Sequence, residues 1–176
     1  PLVVEHGEGA QVVTSATGAV RSYDVATGRQ LWQDEGGTLN AIPSPVAADG
    51  LVFVTSGYRG SRLAAIELSS AHDDISGSNA VRWSVDRDTP YVPSPLLHDG
   101  LLYVLKSNNG ILSVFDAGTG ERHYGPERLP GIRSVYASPV AAAGRVYVTS
   151  REGTTLVLRA GPALEVEHDA ARNPAV

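Results

Sequence analysis

The chain has 176 residues, enough for one well-buried core and for no second domain without positive evidence of one. Its formal charge of −5, with no compensating Lys/Arg stripe, excludes the electrostatic footprint of a nucleic-acid-binding protein. No window holds the roughly 18 apolar residues of a membrane-spanning helix, and the absence of Cys removes disulfides, thiolate metal sites and cysteine nucleophiles.

The 42% hydrophobic and 19% charged content is that of an ordinary globular protein, and 19 Gly with 11 Pro predict many tight turns and short strands rather than long helices. No basic-then-apolar leader precedes Pro1. A first residue other than Met reads as a trimmed start, so that missing leader assigns no compartment.

In chain order, four similar units follow one another. The first runs from Pro1 to Trp32; the others open on a Ser-Pro pair at Ser44, Ser94 and Ser138, spaced 50 and 44 residues apart. Pro45 to Gly50, Pro95 to Gly100 and Pro139 to Gly144 are each five residues, whereas Pro1 and Gly9 stand wider apart. After each of these glycines comes a short β-branched or aromatic run (LVFV, LLYV, RVYV), which predicts a second strand buried on both faces. Glycine turns ending at Gly18, Gly60, Gly110 and Gly153 predict hairpins needing positive φ, then a third strand (AVRSYD, RLAAIEL, ILSVFD, TTLVLR). A fourth strand carries an aromatic in three units. A period of roughly 40–50 residues with four strands per unit predicts a β-propeller, with blades over 1–40, 41–90, 91–136 and 137–176.

Between the third and fourth strands the first unit reads Ser22-Tyr-Asp24-Val-Ala-Thr27-Gly28-Arg29-Gln-Leu-Trp32, and the third Val114-Phe-Asp116-Ala-Gly-Thr119-Gly120-Glu121-Arg-His-Tyr124. The Asp is expected to accept bonds from the Thr-Gly amides, Gly to supply positive φ, and the aromatic to pack between blades. The second unit keeps Glu67 and Trp83 but inserts eight residues between them, and the fourth loses the pattern after Arg159.

This motif, in phase with the repeat, is similar to the docking motif of the PQQ-like propeller superfamily. The resemblance implies an all-β fold of four consecutive four-stranded antiparallel blades. Propellers of this family close with seven or eight blades, so four imply half of a ring. The two open faces would then be covered by remaining blades or by a second copy of the chain.

The superfamily includes quinoprotein dehydrogenases, a non-catalytic BamB-like branch and sensor domains of membrane kinases. The dehydrogenases' vicinal Cys pair is missing, and their metal and catalytic residues have no counterpart that can be matched here. That favours a non-catalytic, extracytoplasmic binding module without cofactor or metal, taking a protein or peptide partner and no nucleic acid. A fragment of a PQQ-dependent dehydrogenase and a sensing ectodomain of a membrane kinase are the alternatives.

His6, His72, His98, His123 and His168 lie in different units or loops without HxH or HxxxH spacing, so no metal site is expected. The polar segment from Ser69 to Ala80 lacks the regular alternation of calcium-binding loops and reads as a loop insertion. Glu165 and Glu167 read as a solvated strand edge. In a propeller, the loops joining second to third strands and each fourth strand to the next blade share one face. Here they carry Tyr58, Arg59, Tyr91, Arg133, Tyr136 and Arg151, residue types enriched at interfaces. These six are the candidate binding residues; ordinary rim decoration is the alternative.

Overall fold

The structure is a computed structural model that describes residues 1–7 and 9–170. Its first sheet is a meander of β1 (Leu2–His6), β2 (Gly9–Ala16), β3 (Ala19–Asp24) and β4 (Gln30–Asp34). The second holds β5 (Val46–Ala48), β6 (Leu51–Ser56), β7 (Arg62–Glu67) and, beyond the short strand β8 (Asp73–Asp74), β9 (Val81–Val85). The third comprises β10 (Leu96–His98), β11 (Leu101–Leu105), β12 (Ile111–Asp116) and β13 (Arg122–Arg128). The fourth comprises β14 (Val140–Ala142), β15 (Arg145–Thr149), β16 (Thr155–Arg159) and β17 (Val166–Ala170). These are four blades of a β-propeller. The end of the predicted fourth blade, residues 171–176, lies outside the described residues. Among those described, no helix is long and apolar enough to cross a membrane.

Register confirms the phase of the repeat. Leu2 pairs with Val13, Val46 with Phe53, Leu96 with Tyr103 and Val140 with Tyr147. Pro1 therefore stands where Pro45, Pro95 and Pro139 stand, and a longer β1 absorbs its wider spacing to Gly9. The Ser-Pro landmarks also acquire a reason: the Ser44 amide donates to Ser94 Oγ, and the Ser94 amide to Ser138 Oγ, each at 2.9 Å. The repeated serine is a blade-to-blade tie.

Blades stack face to face because each strand is apolar on the sides that meet a neighbour. Val13, Val20 and Trp32 pack on Val52, Val54, Ala64 and Ile66. Phe53, Leu63 and Ala65 pack on Leu102, Val104 and Phe115. Tyr103, Leu105, Leu112 and Val114 pack on Val146, Val148, Leu156 and Leu158. Each large side chain so buried is worth about 1.5–3 kcal/mol. The two middle blades are buried on both faces, whereas β15 and β16 alternate, with Tyr147 and Val157 only half-buried. No buried cluster among the described residues joins the fourth blade to the first, and Val3 (61% exposed) and Val140 (57%) lie on the two end blades.

The segment after Glu67 corrects the expectation of a surface loop. It turns through Leu68–Ser70 and runs β8 parallel to β4, with Trp32 opposite Asp73 and Gln33 opposite Asp74. Ile75 is buried, and its amide donates to the Gln33 carbonyl at 2.9 Å. The insertion of the second unit thus becomes a fifth strand of the first blade, because its Leu68, Ala71 and Ile75 complete the apolar cluster around Trp32.

Other expectations need smaller corrections. In the docking motif the Thr amide and hydroxyl both donate to the Asp carboxylate (Thr27 to Asp24 at 2.7 and 2.6 Å; Thr119 to Asp116 at 2.7 and 2.9 Å). The Gly amide goes instead to the Asp main-chain carbonyl, at 2.8 and 2.9 Å. Gly110 does not take positive φ; that conformation falls on Ser107 (φ 51°), and glycine is required because a β-carbon would meet the Ile132 carbonyl. Glu165 and Glu167 are paired rather than merely solvated: Arg159 reaches both, at 3.0 and 3.3 Å, and Arg145 Nε lies 2.6 Å from Glu167.

Candidate binding face

An antiparallel meander sends alternate connections to opposite ends of a sheet. The hairpins β2–β3, β6–β7, β11–β12 and β15–β16 therefore share one end with the segments that link successive blades. These segments are bonded to the hairpins: Leu39 bridges Tyr58, Pro90 bridges Ser107, and Asn109 bridges Ser134. The Arg151 amide donates to the Ser134 carbonyl at 2.9 Å. Short backbone ties of this kind hold the loops as a rim.

The six candidate residues fall into two groups on this rim. Tyr58, on the hairpin of the second blade, stacks on Tyr91, on the segment entering the third, with ring centroids 4.9 Å apart and planes at 24°. Arg59 lies over the Tyr58 ring, 5.5 Å from its centroid, and Asn40 Nδ2 donates to the Tyr91 hydroxyl at 3.1 Å. In the second group, Arg151 on the hairpin of the fourth blade lies 4.5 Å from the centroid of Tyr136. Arg133 shares the segment of Tyr136; its carbonyl accepts from the Gly110 amide at 3.4 Å. An arginine stacked on an exposed tyrosine is held by about 0.5–1 kcal/mol.

Among the described residues, no acid lies within 4.0 Å of the guanidinium of Arg59, Arg133 or Arg151. By contrast, Lys106 is neutralised by Asp88 at 2.9 Å, and Arg62 by the buried Asp34 at 2.6 Å. These three exposed guanidinium groups share the rim with the exposed carboxylates of Glu35 and Glu152.

Apolar rim positions were missed from sequence. Leu39 and Ile42 are 49% and 44% exposed, close to the 48% of Tyr136. Ile42, Val92 and Tyr136 each precede a blade's proline by three residues, and aligning the units on Pro45, Pro95 and Pro139 would have found the series. Asn40, in the left-handed region at φ 57°, had no such signal.

The motif carboxylates face structural work. The hydroxyl and amide of Thr27 hold Asp24 below the usual carboxylate range, and the amide and hydroxyl of Thr119 do the same for Asp116. Burial pushes Tyr103 and Tyr124 up; for Tyr103 the Gly161 amide opposes the shift. Among the described residues, no three His, Asp or Glu side chains converge as metal ligands would.

Residues 16–162 match the family model described as outer membrane protein assembly factor BamB. BamB from Moraxella catarrhalis is similar in structure at a TM-score of 0.57 and 21% identity, over 89% of this chain and 44% of that one. The computationally designed Ika8 protein is similar at 0.64 and 17% identity, over 96% of this chain and 49% of that one. The designed Ika4 protein gives 0.59 and 12% identity, over 90% and 89%. The chain thus spans less than half the length of BamB and of Ika8. No curated protein matches it.

Proposed function

The chain belongs to the family described as outer membrane protein assembly factor BamB, and on that premise we propose that it is a non-catalytic binding module whose loop rim holds a protein or peptide partner. The observation that carries this reading is the convergence of Tyr58, Arg59, Tyr91, Arg133, Tyr136 and Arg151 in two tyrosine–arginine groups, with no acid among the described residues paired to those guanidiniums. Tyr and Arg combine contact area with directional donors, and apolar Leu39 and Ile42 beside them supply surface that gains from being covered. The partner so favoured carries carboxylates and apolar side chains. The family's description as an outer membrane assembly factor supports an extracytoplasmic location for the module.

The same reading has further blades, from a longer polypeptide or a second copy, covering the end faces that carry Val3 and Val140. Light scattering on the 176-residue chain tests that part: a stable monomer binding no apolar dye counts against it.

For the rim, Arg59, Arg133 and Tyr136 are replaced together by Ala. Partner capture from an envelope extract should fall at least tenfold at an unchanged melting temperature. Equal capture by the variant and the parent chain would end the proposal.

A further inference from the structure

At the end opposite the loop rim, between the first blade and the inserted strand β8, lies an open groove of about 440 Å³. A second hollow of about 220 Å³ adjoins it, sharing His6, Gln11 and Leu31. His6 and His72, far apart in sequence, both come to the wall of the larger groove, because the insertion folds back onto the first blade.

The floor is built around Gln11, which is 6% exposed. Its Oε1 accepts from Ser22 Oγ at 2.6 Å and from Trp32 Nε1 at 2.9 Å. An indole N–H can only donate, so the atom facing Trp32 must be the amide oxygen. The Gln11 NH₂ group is thereby fixed in orientation, and it has no acceptor among the described residues. Leu31, Leu68 and Ala71 give the wall its apolar part, and the exposed Arg29 stands at the rim with no acid within 4.0 Å among the described residues. Asp73 is the acid on this wall, and Asp24 lines the adjoining hollow.

We propose that this groove binds a carboxylate attached to an apolar chain, with the carboxylate between Gln11 Nε2 and Arg29 and the chain over Leu31, Leu68 and Ala71. A fixed amide donor beside a guanidinium complements carboxylate oxygens, and a charge-assisted bond is about twice as strong as a neutral one. The rim acids restrict the ligand to few negative charges. The same chemistry is offered by a free aliphatic acid and by a peptide's C-terminal leucine.

The two tryptophans give two indole N–H signals in a ¹⁵N–¹H spectrum, assigned with Trp83→Phe. Titration with hexanoate should move the Trp32 signal to saturation and leave that of Trp83 in place. Hexanamide, with a similar apolar tail and no charge, should bind at least tenfold more weakly. N-acetyl-Ala-Leu against its C-terminal amide repeats the comparison for the peptide source. Arg29→Gln should weaken hexanoate at least tenfold, as should Gln11→Glu, which keeps an oxygen for Ser22 and Trp32 but removes the donor. The Trp83 signal reports whether each variant is folded, and the exposed Arg29 carries the test should Gln11→Glu fail to fold. An unmoved Trp32 signal with both probes, equal affinity for hexanamide, or an unaffected Arg29→Gln variant would overturn the proposal.

Discussion

Trp83 of the second blade rests on the α-carbon of Gly120 in the third: a methyl group added at position 120 would lie 2.5 Å from the indole. The indole Nε1 donates to the Ala117 carbonyl at 3.0 Å, and the ring sits between Phe53 and Phe115 at 5.9 and 6.5 Å. The Thr-Gly of the third blade is therefore the seat for Trp83 of the second.

Gly120→Ala meets both this contact and a φ of 74°. Overpacking and a left-handed alanine together should cost about 2–4 kcal/mol. Gly118→Ala, whose β-carbon would meet only Asp116 Oδ1 at 3.5 Å, should stay within about 0.5 kcal/mol. Denaturant unfolding of both variants checks this, and equal losses would refute the seating.

Ile75 distinguishes an inserted strand from a surface loop. It is 1% exposed against Trp32 and its neighbours, so Ile75→Ala should cost about 2–5 kcal/mol. A loss under about 0.5 kcal/mol would mean that the segment is decoration.

Asp34 and Arg62 tie the first blade to the second. The Oδ2–Nη2 approach of 2.6 Å is short but poorly aligned as a hydrogen bond, and Arg62 Nη1 has no partner. Asp34→Ala leaves a mostly buried guanidinium alone and should cost about 3–5 kcal/mol, more than replacing both residues with apolar ones. A double-mutant cycle by chemical denaturation measures the difference.

Asp24 and Asp116 set a direction in pH. Their carboxyls titrate lower in the folded chain than in the unfolded one. The stability they add is thus present above the unfolded aspartate value, about 3.9, and is lost as pH falls through the lower folded values. Thermal melts from neutral pH downward should fall below about pH 4, and less steeply in Asp24→Asn and Asp116→Asn. A slope unchanged in both variants would remove the motif from the acid response.

How much was legible in the sequence follows from the range of each cause. The hairpins, the Asp-Thr-Gly turns and the apolar runs depend on neighbours within a few residues, so the repeat displayed them. The rim residues were legible as loop residues because a meander fixes which connections share an end. Their pairing was not, since Tyr58 and Tyr91 lie in different units and meet only after the blades stack.

Pro45, Pro95 and Pro139 are equivalent by local spacing, and the sequence by itself determined that the chain builds four meander blades of one propeller type; register adds Pro1 to the series. Only the tertiary structure decided where the odd segments go. The stretch after Glu67 carries no repeat pattern, and its apolar Leu68, Ala71 and Ile75 have value only against Trp32, a residue of another repeat unit. Ser22 and Trp32, on β3 and β4 of the first blade, turned Gln11 from an unremarked strand residue into a buried, oriented donor. Local geometry repeats along a chain and can be read from it; the burial of one blade by the next depends on faces that no window of sequence contains.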